Sequence, residues 1–219
     1  MWVVGIVGGI ASGKSLVSRQ FRELGARWID VDRLGHEVLL DPAVRAALAA
    51  RWGDSILAAD GQVDRAQVAK RVFAAGEQGR VERAYLEHLV HPLIAARVTA
   101  DIADLRQREP SAVVVLDAAL LVEAGWTRFC DAVVFVDASD DVRRRRAIER
   151  GWTEAEWRAR EAAQLNLGKK REVAHYTLDN SLSTTETYTQ VRELWERFQI
   201  ASRSPSVSPP PRNVSRRPS

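Results

Sequence analysis

The chain has one cysteine, one methionine and no apolar run longer than a β-strand. With Cys130 alone, no disulfide can form within the chain, and that usage suits a reducing cytoplasm. Cys130 stands beside the apolar run 132–136 and reads as a small buried hydrophobe rather than a nucleophile. The longest apolar runs, "AVVVL" and "AVVFV", are far too short to cross a bilayer. No basic stretch precedes the apolar residues 2–7, so no secretory signal is expected. Acids are missing from residues 201–219, "ASRSPSVSPPPRNVSRRPS", which carry four arginines. Taking +4 from the formal net charge of +3 leaves −1 for the rest of the chain. The basicity therefore lies in a Pro/Ser-rich tail, expected to be disordered, that either solubilises the protein or touches an anionic partner. Neither nucleic acid, nor membrane, nor an obligate protein partner is expected.

What is present is enough apolar mass for a core. Hydrophobic residues make up 46% of 219, which favours one domain with a small inserted subdomain. Residues 2–7, 26–30, 112–117, 132–137 and 176–179 read as strands. The third and fourth are continuous apolar runs ending in Asp, the pattern of strands covered on both faces of a parallel sheet. Helical patterns fill the intervals. They run from Lys14 to about Gly25, from 33 to 51 with a restart at Asp41-Pro42, and after a turn at "DGQ" with Asp64 as cap. They continue from about Gln78, with His91-Pro92 as the joint between two helices, then over 139–150, from a capping box at Thr153 and Glu156, and over 184–200. Strand and helix alternate throughout, so the fold class is α/β with a parallel sheet.

Residues 8–15, "GGIASGKS", match G-x-x-x-x-G-K-[ST] between an apolar strand and a helix. Backbone N–H groups must close around a phosphate, so Gly8, Gly9, Ala11, Ser12 and Gly13 are small. The helix that follows turns its positive end to the anion. Lys14 reaches the β- and γ-phosphates, Ser15 can ligate Mg²⁺, and Leu16 lies next to the loop. The stretch is expected to bind a nucleoside triphosphate, ATP above all.

Three further features bear on what happens to that phosphate. "IDVD" puts Asp30 and Asp32 past a strand's carboxyl end, where ligands of open parallel sheets bind. Asp32 there suits a base for an attacking hydroxyl, or else a helix cap. Arg143, Arg146 and Arg150 share one helical face, with Arg158 and Arg160 on the next helix. They read either as a lid that neutralises the moving phosphoryl group or as a solvated basic face. Asp117 ends a buried strand and suits Mg²⁺ held through water, whereas Asp137 is expected to cap the helix after it.

Together these segments resemble the dephospho-coenzyme A kinase family over nearly the whole chain up to about residue 200. "GIVGGIASGKS", "LGARWIDVD", "ADGQVDRAQVAKRVF", "LEHLVHPLI", "LDAALLVEAGW", "RRAIERGWTEAEWRAREAAQ" and "LDNS" are similar to family segments in the same order. The resemblance implies a three-layer P-loop fold over 1–200 with a five-stranded parallel sheet. It implies a helical acceptor-binding insertion at about 41–106 and a helical lid at about 143–165. It implies a cytoplasmic enzyme that phosphorylates the ribose 3′-hydroxyl of dephospho-coenzyme A with Mg²⁺ and ATP. Asp32 then matches the base, with Lys14 and Arg146 acting on the phosphates. Arg150 also falls at a lid position that contacts ATP, and His91, Glu123 and Gln164 fall in acceptor-lining segments. His91 reads equally as a helix-joint histidine bonded to backbone. Ala119, where the family has proline, and Leu16, where it has threonine, depart from the pattern. A different small-molecule kinase and a non-catalytic ATP-binding module are the other readings of the same residues.

Overall fold

A computed structural model describes residues 1–204. The basic segment from 205 to 219, which holds most of the expected tail, lies outside the described residues. Two compact units emerge, one from residues 1–30 together with those from 101 onward, the other from Val31–Ala100.

The first unit is built on five strands: β1 (Trp2–Gly8), β2 (Arg27–Asp30), β3 (Val113–Asp117), β4 (Ala132–Asp137) and β5 (Tyr176–Asp179). All pair in parallel, in the order β2-β3-β1-β4-β5. β1 is buried along its length, because it lies in the centre of a sheet covered on both faces. The first crossover goes to one side of β1 and a later one to the other. The loop after β1 therefore opens at the point where strand order reverses, the place where ligands bind in such sheets. Register puts the Cα atoms of Asp30 and Asp117 opposite each other at that edge.

α1 (Lys14–Glu23) and α9 (Thr184–Arg203) pack together on one face of the sheet. Phe198 is central there, with its ring 6.0 Å from Phe21 and edge-on to Tyr176 at 5.4 Å. α9 continues past residue 200, and the Ser202 hydroxyl donates to Ser111 O at 2.8 Å. α6 (Asp140–Glu149), α7 (Glu154–Ala162) and α8 (Leu167–Glu172) link β4 to β5. α7 opens with the expected capping box of Thr153 and Glu156. The cap of α6 is Ser139, not Asp137. Asp137 instead pairs with Arg171 of α8, because as the last residue of β4 it lies two positions before the cap.

The second unit contains α2 (Val31–Val38), α3 (Pro42–Trp52), α4 (Arg65–Val72) and most of α5 (Gly76–Arg108). Asp41 and Asp64 cap α3 and α4 through their side chains. The buried carboxylate of Glu82 accepts from Trp52 Nε1 at 2.7 Å and from two Arg51 nitrogens at 3.1 Å. α2 begins at Val31, not at 33, and the second compact unit runs from Val31 to Ala100.

The expected joint at His91-Pro92 is absent, since Pro92 lies inside the continuous α5. Proline removes one i→i−4 bond and crowds the preceding turn, which costs about 3 kcal/mol in a helix interior. Two features offset this. Val90, Ile94, Val98 and Ile102 are all buried, so one apolar stripe runs through the proline without a break. His88, whose carbonyl loses its partner, is exposed, so water can satisfy it. Among the described residues no helix is long and apolar enough to cross a membrane. Pro92→Ala is expected to stabilise the protein by about 1–3 kcal/mol in chemical denaturation, by restoring the bond. A loss of stability would mean that the proline bend itself is needed for packing.

Candidate active site

Residues 9–13 join the end of β1 to the first turn of α1. A side chain at Gly8 would run into Val136 O, 2.5 Å from the new Cβ, so the loop can leave the sheet there only without one. Gly13, the N-cap of α1, has φ 98°, and a Cβ on it would collide with the Asn180 amide. Because glycine has no side chain to cap the helix, no cap bond forms. The first-turn amides of Lys14 and Ser15 have no acceptor among the described residues; the bonds to Gly13 O come from Leu16 and Val17. Those N–H groups and the helix dipole make a ready anion site. Ser12 Oγ is likewise buried with no partner among the described residues.

The loop is held from outside by one carbonyl. Ser12 O accepts from Asn180 Nδ2 at 2.6 Å and from Arg146 Nη1 at 3.3 Å. Asn180 is fixed in turn, its Oδ1 accepting from the buried Thr187 hydroxyl at 2.7 Å. Arg146 Nη2 also donates to Asn180 O at 2.9 Å. Arg146 thus reaches the phosphate loop through backbone oxygens.

The expected arginine face divides. Arg143 is 4% exposed and bonds to Asp140 at 2.6 Å, to Glu161 and to Ala138 O, with its guanidinium over the Trp157 ring. It braces α6 against α7, because its long side chain points inward at that turn. Arg150 lies just past the end of α6 and is exposed. Arg158 pairs with Glu154, and Arg160 lies 4.0 Å over the Trp152 ring. A cavity of about 610 Å³ opens between the phosphate loop at Gly9 and Ile10 and the segment 164–167.

Lys14 Nζ donates to Gly8 O at 3.1 Å and Gly9 O at 3.0 Å, folding back on its own loop. Burial, and then the charge of Lys170, push its pKa down to about 8, against the opposing pull of Asp117 and Glu123. Glu123, on the segment after β3, accepts from Lys170 Nζ at 2.9 Å and from Leu165 N at 3.0 Å. Gln164 Oε1 accepts from the same ammonium at 3.0 Å. Asp117 is half-buried at the end of β3, and Ser15 is exposed in the first turn of α1. The Leu16 amide is already used, donating to Gly13 O at 2.9 Å.

The structure therefore brings Gly8, Gly9, Ala11, Ser12, Gly13, Lys14 and Ser15 into one loop, with Arg146 anchored to it. Glu123 and Gln164 meet at Lys170. Asp32 and His91 belong to the second unit. Asp32 is exposed in the first turn of α2, and His91 is half-buried within α5 rather than at a joint. Asn180, Thr187 and Lys170 are the site-supporting residues that sequence reasoning passed over, although "LDNS" contains the first. Cys130 is mostly buried, its thiol pushed up by burial to about 12, as suits an inert small side chain.

The Lys14 pKa has a direct consequence for binding. The ammonium is the form that binds phosphate, and bound phosphate favours it. Affinity for ATP is therefore expected to be level below about pH 8. It should fall above that pH by up to about tenfold per unit until Lys14 in the complex also titrates. Titration calorimetry from pH 6.5 to 9.5 tests this; a flat profile would place the free-site pKa well above 8.

The family model for dephospho-CoA kinase matches residues 2–186. The dephospho-CoA kinase of Geobacillus kaustophilus is 40% identical over 191 residues, covering 86% of this chain and 92% of its own. That of Streptomyces avermitilis is 38% identical over 215 residues, covering 95% and 99%. The Mycobacterium tuberculosis relative is 40% identical over 195 residues but longer, and the chain spans 46% of it, about half. Among solved structures, TT1252 from Thermus thermophilus superposes with a TM-score of 0.74 at 27% identity, over 90% of this chain and 97% of its own. The dephospho-CoA kinase from Campylobacter jejuni shares the fold, with a TM-score of 0.70 at 18% identity over 91% and 98%. With a family model matching residues 2–186 and relatives of similar length 38–40% identical over most of both chains, the chain belongs to the dephospho-CoA kinase family.

Proposed function

We propose that this chain transfers the γ-phosphoryl group of ATP to the ribose 3′-hydroxyl of dephospho-coenzyme A, giving ADP and coenzyme A. The observation that carries the reading is the loop at 8–15, with unpartnered first-turn amides and Lys14 at its mouth. The family match over residues 2–186 supports the acceptor.

In the transfer, the 3′-oxygen forms a bond to the γ-phosphorus while the bond from that phosphorus to the β,γ-bridging oxygen breaks. ADP leaves with those electrons. The hydroxyl proton goes to the Asp32 carboxylate. In support, Asp32 follows the last residue of β2 by two positions in the chain, and a carboxylate after a strand of a parallel sheet suits a base for an attacking hydroxyl. Lys14 moves from its loop carbonyls to the β- and γ-oxygens, and the amides of 13–15 hold the β-phosphate. Arg146 and Arg150 supply positive charge as the γ-oxygens move. His91, Glu123, Gln164 and the helical insertion serve the acceptor.

The donors at the sheet edge suit Mg²⁺. The Ser15 hydroxyl and the Asp117 carboxylate are hard oxygen ligands, few in number, as this ion prefers when phosphates and water complete its shell. When bound, Mg²⁺ neutralises charge on the β- and γ-oxygens. A cytoplasmic setting fits the single, partly buried thiol.

An ADP-release assay with MgATP over a panel of acceptors tests the assignment: dephospho-coenzyme A, adenosine, nucleoside monophosphates and water alone. Turnover is expected with the first alone. Faster release with a nucleoside would make this a different kinase, and nucleotide binding with no turnover would make it a binding module. Asp32→Asn should cut turnover by about 10² or more while ATP affinity stays within a few-fold. An equal loss of ATP affinity would move Asp32 to the metal. Lys14→Ala should impair both binding and rate.

A further inference from the structure

Lys170 takes no part in the reaction as described, yet its side chain is 2% exposed. An ammonium is costly to bury unless paired and hydrogen-bonded. Its partners arrive from two separate stretches. Glu123 follows β3, and Gln164 lies just past the end of α7. Glu123 Oε1 gathers two groups, the Lys170 ammonium at 2.9 Å and the Leu165 amide at 3.0 Å. Burial acts to raise the Glu123 pKa, but Lys170 and the amides outweigh it and hold the group below the usual range, so it is ionised at neutral pH.

This knot stands behind a functional wall. The segment 164–167 faces Gly9 and Ile10 of the phosphate loop across the 610 Å³ cavity. Leu167 approaches the loop closely, since a Cβ built on Gly9 would lie 3.1 Å from Leu167 Cδ2. Segment 164–166 lies between two short helices and carries few bonds of its own beyond the Asn166 cap. What ties it to the body of the first unit is Glu123 and Lys170. Of the three consecutive cations in "LGKKRE", Lys169 and Arg171 are exposed and only Lys170 is buried.

We propose that Lys170 is a positioning residue for phosphoryl transfer: by clasping Glu123 and Gln164, and Leu165 through Glu123, it fixes the 164–167 wall over the phosphate loop and keeps water from the γ-phosphoryl group. The proposal rests on the transfer reaction given above. Its structural half can be read without turnover.

Two measurements on the full chain test it, using Lys170→Met and the cation-preserving Lys170→Arg. The first is amide hydrogen exchange over 161–168. Lys170→Met is expected to speed exchange there at least tenfold, with α1 and the central strands unchanged, and Lys170→Arg to restore most of the protection. The second is the ratio of ADP released to acceptor phosphorylated, with kcat and KM for ATP, each read well below the variant's melting midpoint. Lys170→Met should lower kcat by about tenfold or more, keep KM for ATP within threefold, and raise the ratio above that of the parent, since loss of alignment and entry of water act on the transfer step. Lys170→Arg should bring the ratio back. If Lys170→Met does not fold, Lys170→Gln, which keeps donors for both partners, takes its place with the same expectations at smaller amplitude. Unchanged exchange at 161–168 would overturn the knot whatever the reaction is. Faster exchange with parental kcat and ratio would show that the knot only packs, and the proposal would fall while the reaction assignment stood.

Discussion

The site depends on the carbonyl oxygen of Ser12. An amide from the end of β5 and a guanidinium from α6 both converge on it. A loop rich in glycine has many conformations to lose, and a triphosphate site works only if they are lost before the ligand arrives. Fixing one carbonyl in the middle of the loop does much of that. The hold is transmitted from Thr187 through Asn180, so the first turn of the last long helix helps to shape the first loop of the chain.

The charged groups around this loop divide by burial more than by sequence. Arg143 and Lys170 are inside, each satisfied by carboxylate and carbonyl oxygens, and they organise the helices that follow β4. Arg146 is intermediate, with two bonds committed to backbone. Arg150 is exposed. A row of basic residues therefore contains buried, bracing members and exposed ones side by side.

This is also where the sequence was legible and where it was not. β1, β3 and β4 could be read because each is a mostly apolar, Val-rich run, as a strand covered on both faces requires, while the shorter, mixed β2 and β5 could be read from their aromatic and β-branched residues between helical stretches. Their spatial order could not, since apolar runs of equal character do not name their neighbours. The phosphate loop was legible because its chemistry demands particular residues at particular spacings. Asp64, Thr153 and Glu156 were legible as caps, because capping is local. Asp137 was misread as a cap because Ser139, two residues on, is as good a cap and better placed. Pro92 was misread because local propensity argued for a break, and only the buried stripe on either side overrides it. Lys170 and Thr187 were invisible. A six-residue helix is too short for its period to show which lysine points in, and a threonine in "TTETYT" gives no sign of which hydroxyl is buried.

The loop's own lysine is bonded to the loop that carries it: the Lys14 ammonium rests on the carbonyls of Gly8 and Gly9. An incoming anion must outcompete two neutral oxygens to recruit that charge. A small, singly charged anion gains little from the exchange, whereas a chain of three phosphates can settle on the helix amides first and draw the ammonium across afterwards. Selectivity for long polyanions over abundant simple ones thus begins as a contest over a single cation that the protein has already lent to itself.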